Sequence, residues 1–198
     1  MTVAPIVLAS RSMSRREMLS AAGVEHEAVP ADIDERGFEA GLGDAPPPEI
    51  ARMLSVRKAE AVSGTRPGAM VLGSDSLLDV DGRRFDKPGS REEAFEHLRH
   101  FSGRTIMLHS AAALVRDGDC LWTHAAWAGL VVRDLSDQFL HAYIDAEWPA
   151  ISHTVGCFRI EGMGVQLFER IDGDHFTVLG MPLLAVMGAL RDHGAILR

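Results

Sequence analysis

The chain has 198 residues, of which 46% are hydrophobic and 24% charged, a composition that is ordinary for a globular protein. Its formal net charge of −8 excludes an extended nucleic-acid-binding face, because phosphate contacts need a basic surface. No apolar run approaches the roughly 20 residues that span a bilayer, and Cys120 and Cys157 form no CxxC motif, so we expect a cytoplasmic protein that binds neither membrane nor nucleic acid.

Strands and helices alternate along the whole chain without a repeat, a low-complexity tract or a linker. In the first half of the chain we predict a strand over 3–9, a helix over 14–22, a strand over 25–29, a loop over 37–48, a helix over 47–63 and strands over 70–73 and 77–80. In the second half we predict a helix over 90–101, a hairpin of strands over 106–115 and 121–132, and a helix over 136–146. A strand-like segment over 156–170 and a helix from 182 to about 194 follow. This alternation predicts an α/β fold with residues 1–198 in a single domain.

Two capping signals set helix starts. Ser14 with Glu17, and Ser90 with Glu93, have the spacing of a capping box, in which a serine hydroxyl and a glutamate carboxylate satisfy the free amides of the first turn. We therefore place helix starts at both serines.

The nine histidines are scattered along the chain. His97 and His100 share one face of the predicted helix over 90–101, but no third ligand of suitable spacing lies near them. We interpret both as solvated surface residues rather than metal ligands.

The stretch VLASRSMSRR, residues 7–16, carries the first chemical signal. A short apolar run is followed by three serines and by the pair Arg15 and Arg16 at the start of a helix. Free amides and the positive end of a helix dipole, together with two guanidinium groups, suit a phosphate chain.

Asp75, in the segment VLGSDS, stands where an apolar strand ends, and Gly73 just before it permits a close approach of another backbone. α/β proteins place ligand chemistry at the carboxyl ends of their strands. The residues alone leave two interpretations open, a functional carboxylate and an aspartate that caps a turn.

Seven segments together resemble, in order, the Maf family of nucleotide pyrophosphatases: VLASRSMSRREML, ADIDER, SVRKAEAV, VLGSDSLL, DKPGSREEAFEHLRHFSGRT, GCFRIEGMGVQLFERIDGD and TVLGMPL. The resemblance runs from about residue 6 to about residue 190. It implies a fold like that of Maf proteins and inosine triphosphatases, an elongated mixed β-sheet with flanking helices that forms two lobes around a central cleft.

The resemblance also implies an activity, the metal-dependent hydrolysis of a nucleoside triphosphate to the monophosphate and pyrophosphate. Asp75 matches the family's catalytic aspartate, and Glu35 would join it in holding a divalent cation, Mg²⁺ or Mn²⁺, with Asp34 in reserve. The positions that match substrate contacts are Ser10, Arg15, Arg16, Lys58, Lys87 and Glu161.

Glu161, in RIEGMG, bears on the choice of base. The family's pyrimidine-specific branch resembles IQG here, and glutamine offers both a donor and an acceptor to uracil or thymine. A carboxylate only accepts, which suits the N1–H and N2–H₂ donors of guanine, so the substrate we expect is 7-methyl-GTP. Ser14 stands where that branch has a tryptophan, and the loss of this ring would remove a cation–π contact of about 0.5–2 kcal/mol.

Two alternatives stay open. The substrate could be dTTP, UTP or a modified pyrimidine nucleotide. The chain could instead be a non-catalytic nucleotide-binding regulator of septum formation, although the combination of Asp75, Glu35, Lys58 and Lys87 favours turnover. Resemblance further implies a homodimer and a house-cleaning role in the cytosol.

Overall fold

Seven strands and seven α-helices alternate along residues 5–197, the part of the chain that the computed structural model describes. They are β1 Ile6–Leu8, α1 Met13–Ala21, β2 Glu27–Ala28, α2 Glu35–Ala40, α3 Pro47–Ser63, β3 Met70–Val80, β4 Arg83–Phe85, α4 Arg91–Phe101, β5 Thr105–Arg116, β6 Asp119–Val132, α5 Asp137–Glu147, β7 Phe168–Gly173, α6 His175–Val178 and α7 Leu183–Asp192. The α/β class predicted from the sequence is confirmed. Among these described elements, no helix combines the length and the apolar content needed to cross a bilayer.

The strands form one mixed sheet in the order β2-β1-β3-β5-β6-β7, with β4 paired to β3. β1 is parallel to β2 and to β3, whereas β3 pairs antiparallel with β4 and β6 antiparallel with β7. The described chain divides into two compact units: residues 5–76, 109–126 and 175–197 belong to the first, and residues 77–108 and 127–174 form the second.

In the first unit, β1 and the start of β3 are buried on both faces, which explains why their sequences are continuous apolar runs. One face packs against α1 and α7 in a cluster that includes Ile6, Leu8, Met70, Leu72, Met18, Leu19, Leu183 and Val186. The opposite face packs against α3 in a cluster that includes Val7, Val71, Ala59 and Val62. The period-two alternation of strand side chains therefore fills two cores at once.

Gly73 brings α3 directly onto β3. A Cβ atom at this position would lie 2.0 Å from the Ser55 carbonyl oxygen and 2.9 Å from the Ala59 backbone nitrogen. No larger residue fits between strand and helix without a backbone shift. The contact that glycine permits lies one helical turn from Lys58 and two residues from Asp75.

Buried aromatic side chains from β4, α4, α5, β7 and the segment before β7 contribute to the core of the second unit. Phe85 meets Phe101 edge to face at a centroid distance of 4.8 Å, and Phe158 meets Phe168 in the same way at 4.9 Å. The fully buried Tyr143 donates its hydroxyl hydrogen to the Cys157 carbonyl oxygen at 3.1 Å, which satisfies its polar end.

Several predicted boundaries agree with the structure. The helix over 47–63, the helix from residue 182 and the hairpin of β5 and β6 are all present. The hairpin turn holds Asp117 and Gly118 at φ angles of 52° and 88°, as a two-residue turn requires. Ser90 caps α4 by accepting a hydrogen bond from the Glu93 backbone N–H at 3.2 Å.

The start predicted for the first helix at Ser14 was wrong. α1 begins at Met13, and its N-cap is Ser12, whose hydroxyl accepts a 3.5 Å hydrogen bond from the Arg15 backbone N–H. Ser12 is extended, with φ −62° and ψ 122°, so the helical turn is already formed when the chain reaches Ser14. The capping signal of Ser14 with Glu17 was a coincidence of spacing.

Three other segments differ from the prediction. The strands predicted over 70–73 and 77–80 are one continuous strand, β3, so Asp75 lies inside a strand and not at its end. The start of the loop predicted over 37–48 belongs to the short helix α2, Glu35–Ala40, which Asp34 caps by accepting from the Gly37 backbone N–H at 2.9 Å. The segment over 156–170 is strand only from Phe168 onward and contains a 3₁₀ helix over Met163–Leu167. A Cβ at Gly164 would lie 2.4 Å from the Arg159 carbonyl oxygen, so the chain coils too tightly here for a strand.

Candidate functional site

Lys58 joins the two carboxylates predicted for the site. Its Nζ lies 2.5 Å from Asp75 Oδ1 and 2.9 Å from Glu35 Oε2. Lys58 and Asp75 are only 8% and 7% exposed, while the Glu35 side chain is 47% exposed. Three distant segments, in α2, α3 and β3, thus contribute one charged group each.

Burial raises the pKa of Asp75 above that of an ordinary aspartate, while the positive charges of Lys58 and Arg15 oppose this shift. The outcome is a carboxylate that is desolvated yet held by cations. Such a group is a stronger proton acceptor than an aspartate in water, which suits a general base.

Arg15 uses four of its five N–H donors on protein acceptors. Its Nε donates to the Gly180 carbonyl oxygen at 2.9 Å, and Nη1 donates to the Ser74 carbonyl oxygen at 2.8 Å and to Ser10 Oγ at 3.2 Å. Nη2 donates to Ser76 Oγ at 3.0 Å. Burial lowers the pKa of this guanidinium, and Asp75 opposes the shift. Arg15 is therefore a buried clamp on the strand that carries Asp75.

Ser10 and Ser76 complete this clamp. Ser10 was expected to contact substrate, and the structure places its hydroxyl against Arg15. Ser76 Oγ also lies 3.0 Å from the Gly180 carbonyl oxygen and 2.9 Å from Ser110 Oγ. Sequence reasoning missed Ser76, although Ser74 and Ser76 flank Asp75 and share one face of a strand, which was a usable signal.

The remaining residue expected to bind substrate in the first unit is Arg16, which follows Arg15 on α1 and is exposed. Consecutive helical residues point in different directions, so one arginine is buried and the other faces solvent. Ser14 lies in the first turn of the same helix and is half-buried.

The second unit holds Lys87 and Glu161. Lys87 is exposed and lies between β4 and α4, just before the buried Pro88. Glu161 has a side chain that is 43% exposed, and its Oε1 accepts from Arg159 Nε at 3.4 Å. The carboxylate predicted to read a base is thus held by a neighbouring arginine.

Glu147, at the end of α5, anchors the loop that carries Glu161. Its nearly buried carboxylate accepts from the Met163 backbone N–H at 3.0 Å and lies 3.4 Å from Arg159 Nη1. Arg159 therefore bridges Glu147 and Glu161. Nothing in the sequence indicated Glu147, because its contacts depend on the path of an irregular loop.

The family resemblance implies a divalent cation, and the positions of the carboxylates show whether they fit one. Within residues 5–197 there is no group of three or more His, Cys, Asp or Glu side chains placed to hold a metal ion. Mg²⁺, however, is commonly bound by one or two carboxylates together with substrate phosphates and water. Asp75 and Glu35, already gathered around one cationic group, fit a cation that arrives with a triphosphate.

Comparison with known proteins identifies the family. The model of the family described as "Maf-like protein" matches residues 5–193. A "7-methyl-GTP pyrophosphatase" from Mesorhizobium japonicum is 47% identical over 193 residues, covering 96% of this chain and 97% of that protein. A "Nucleoside triphosphate pyrophosphatase" from Nitrobacter hamburgensis is 44% identical over 192 residues, covering 97% and 95% of the two chains.

One of the solved structures with a similar chain is the Ham1 protein of Staphylococcus aureus, at 17% identity and a TM-score of 0.45, covering 66% of this chain and 72% of that one. A likeness at this level supports no argument about activity. The family match spans nearly the whole chain and both compact units. The chain belongs to the Maf-like protein family.

Proposed function

We propose that this chain is a nucleoside triphosphate pyrophosphatase that acts on 7-methyl-GTP and releases the monophosphate and pyrophosphate. The observation that carries the proposal is the buried Asp75 in the first unit. Its carboxylate pairs with Lys58, which also pairs with Glu35. A site that only binds nucleotides has no need of a desolvated carboxylate. The relatives named above support the reaction class, since they carry its name at 44% and 47% identity.

Asp75 would act on the attacking water. In the proposed reaction the water oxygen attacks the α-phosphorus in line, the bond from the α-phosphorus to the bridging oxygen breaks, and pyrophosphate leaves with the bond's electron pair. The water proton passes to the Asp75 carboxylate, whose burial makes it a better acceptor. Proton transfer of this kind contributes roughly 10²- to 10⁴-fold to a rate.

Asp75 and Glu35 would also hold the divalent cation. When bound, such a cation supplies charge neutralisation on the phosphate oxygens and lowers the pKa of water. Lys58 lies between both carboxylates and would neutralise them until a cation and a triphosphate are present. Complete activity in excess chelator would refute this part of the proposal.

The basic residues divide into two roles. Lys58, Lys87 and Arg16 would contact phosphate oxygens and stabilise the charge that develops on the leaving pyrophosphate. Arg15, whose donors are largely committed to protein acceptors, would instead fix the backbone on both sides of Asp75.

Glu161 would select the base. Its carboxylate accepts from the N1–H and N2–H₂ groups of guanine, and methylation at N7 makes the ring cationic and strengthens the contact. The Mesorhizobium relative supports this substrate by its name. Because Ser14 stands in place of an aromatic ring, the ratio of kcat/KM for 7-methyl-GTP to that for other nucleotides would be smaller than in proteins that have the tryptophan.

A substrate panel tests the proposal. Pyrophosphate release is measured with 7-methyl-GTP, GTP, dTTP, UTP and CTP in the presence of Mg²⁺, and the nucleotide product is separated by anion-exchange chromatography. We expect the highest kcat/KM with 7-methyl-GTP and a monophosphate product. A preference for UTP or dTTP would refute the assignment of the base, and absence of turnover with all five would favour a regulator of division.

A further inference from the structure

The second unit contains a pocket that none of the roles above uses. Its volume is about 340 Å³, and its walls come from β4, α4 and the residue that precedes β5. Five of its lining side chains are guanidinium or imidazole groups: Arg83, Arg99, Arg104, His97 and His100. Glu96 is the one carboxylate among the lining side chains.

This excess of cations is unusual on a chain with a net charge of −8. Arg104 is engaged, since its Nε lies 3.4 Å from Asp81 Oδ2 and its Nη1 donates to the His100 carbonyl oxygen. Arg83 lies over the Phe85 ring, 4.7 Å from its centroid. Across residues 5–197 neither Arg83 nor Arg99 has a carboxylate within ion-pair distance. Glu96 is the carboxylate that lines the pocket, and in this part of the chain the two guanidinium groups face the pocket without an ion-pair partner.

The histidines are not the solvated surface residues that the sequence indicated. Phe85 packs edge to face on His97, with ring centroids 5.1 Å apart, and lies 5.0 Å from the His100 ring. Burial lowers the pKa of both imidazoles, and the positive charge of Arg83 adds to the shift. Both rings are therefore neutral near pH 7, and the positive charge of the pocket comes from its arginines.

We propose that this pocket is a second anion site, which binds the diphosphate group of pyrophosphate or of a nucleotide. Each of these two guanidinium groups can bind a phosphate through paired N–H donors, and a diphosphate offers two linked phosphates to the two of them. The volume lies near the lower end of the range of about 300–1,000 Å³ for small-molecule sites, which favours a compact ligand. None of the residues concerned belongs to the proposed catalytic set.

The test follows the imidazole resonances of His97 and His100 by NMR while inorganic pyrophosphate is added, with chelator present and the pH held constant. A bound anion offsets the positive potential of Arg83 at the two imidazoles, so both rings should gain protons. Their resonances should therefore move to a plateau as pyrophosphate is added. The double variant Arg83→Gln/Arg99→Gln should bind at least about tenfold more weakly, since it removes the charge-assisted hydrogen bonds of both guanidinium groups.

A matched control removes two exposed arginines of the same unit that lie outside the pocket, in Arg133→Gln/Arg170→Gln. The control should retain pyrophosphate affinity within about twofold, the margin of routine affinity measurements. Both double variants should keep the wild-type turnover of the preferred nucleotide. Equal weakening in both, or no saturable shift of either ring in the wild type, would overturn the proposal.

A second titration separates the two sources of the group. A nucleoside diphosphate that binds no more tightly than pyrophosphate would show that the diphosphate alone is recognised. Tighter binding of the nucleotide, lost in Arg83→Gln/Arg99→Gln, would assign the site to a nucleotide. Binding of the nucleoside without phosphate would contradict an anion site.

Discussion

Lys58 reaches Asp75 because Gly73 lets α3 lie directly on β3. The ammonium of Lys58 is 2.5 Å from Asp75 Oδ1, and the space that a Cβ of residue 73 would need is filled by the Ser55 carbonyl oxygen, 2.0 Å away. The charged pair is therefore set by backbone packing rather than by flexible side chains. A pre-set geometry of this kind removes reorganisation from the catalytic step.

Replacing Gly73 should disrupt both the fold and the site. Gly73→Ala puts a methyl group into the backbone of α3, so we expect a free energy of unfolding lower by about 3 kcal/mol or more, as for a severe steric misfit. Gly188→Ala is the matched control, because nothing lies within 4 Å of its Cβ in α7. The control should gain about 0.5–1 kcal/mol, the usual gain from alanine in a helix. Equal thermal midpoints for the two variants would contradict the packing argument.

Removing one partner of the buried pair should cost more than removing both. Lys58→Met leaves Asp75 charged and desolvated, and we expect a loss of about 3–5 kcal/mol in urea unfolding at pH 7. In Lys58→Met/Asp75→Asn neither member of the pair is left charged without the other, so much of that loss should be recovered. Arg57→Met, at the exposed neighbouring position, is the control and should change stability little. Additive effects in this double-mutant cycle would show that Lys58 and Asp75 are not coupled.

Arg15→Lys tests the clamp on the catalytic strand. Lysine keeps the positive charge but cannot span the acceptors that Arg15 reaches with its planar fork, namely Ser10 Oγ, Ser76 Oγ and the carbonyl oxygens of residues 74 and 180. We expect both a lower thermal midpoint and a lower kcat. Arg16→Lys should leave the midpoint unchanged and act, if at all, on KM. An unaltered midpoint in Arg15→Lys would mean that the fork is dispensable.

Glu161→Gln should move the choice of base. The amide turns one acceptor into a donor, so one guanine N–H faces another N–H, at a cost of about 1–3 kcal/mol, or roughly 5- to 150-fold, in kcat/KM for 7-methyl-GTP. Activity on UTP should hold or rise, and Ser14→Trp should sharpen the wild-type preference. Glu169→Gln, an exposed glutamate on β7, is the control. A ratio of 7-methyl-GTP to UTP activity that does not move in Glu161→Gln would place base recognition elsewhere.

Arg159 should tune that response as a positioning residue. It bridges Glu161 and the nearly buried Glu147, so its loss should free the Glu161 side chain without removing its charge. Arg159→Met is therefore expected to raise KM for 7-methyl-GTP more than it lowers kcat.

The elements that the sequence predicted well are those whose signals are local. The end of the helix over 47–63 and the turn of the hairpin depend on residues close in sequence, Gly64 and Asp117-Gly118, and both elements lie where predicted. The link between Lys58 and Asp75 was accessible only through family resemblance, because their 17-residue separation says nothing about contact.

Several of the predictions that were wrong or missing concern an irregular loop or residues whose contacts are not local in sequence. The segment over 156–170 was predicted to be strand-like, but Gly164 allows the chain to coil around Arg159. Glu147 and Ser76 were missed because each makes its hydrogen bonds to residues that are distant in sequence. The same holds for the proposed anion pocket, whose arginines come from β4, α4 and the residue that precedes β5.

The most direct test of the account is the kcat of Asp75→Asn with the best nucleotide of the panel at saturating Mg²⁺. Asparagine keeps the shape and one acceptor of Asp75 but cannot take a proton from water, so a correct account predicts a fall in kcat of about 100-fold or more with a folded protein by circular dichroism. A folded variant that retains more than about a tenth of the wild-type kcat would contradict the assignment of Asp75 as the base, and with it the central claim.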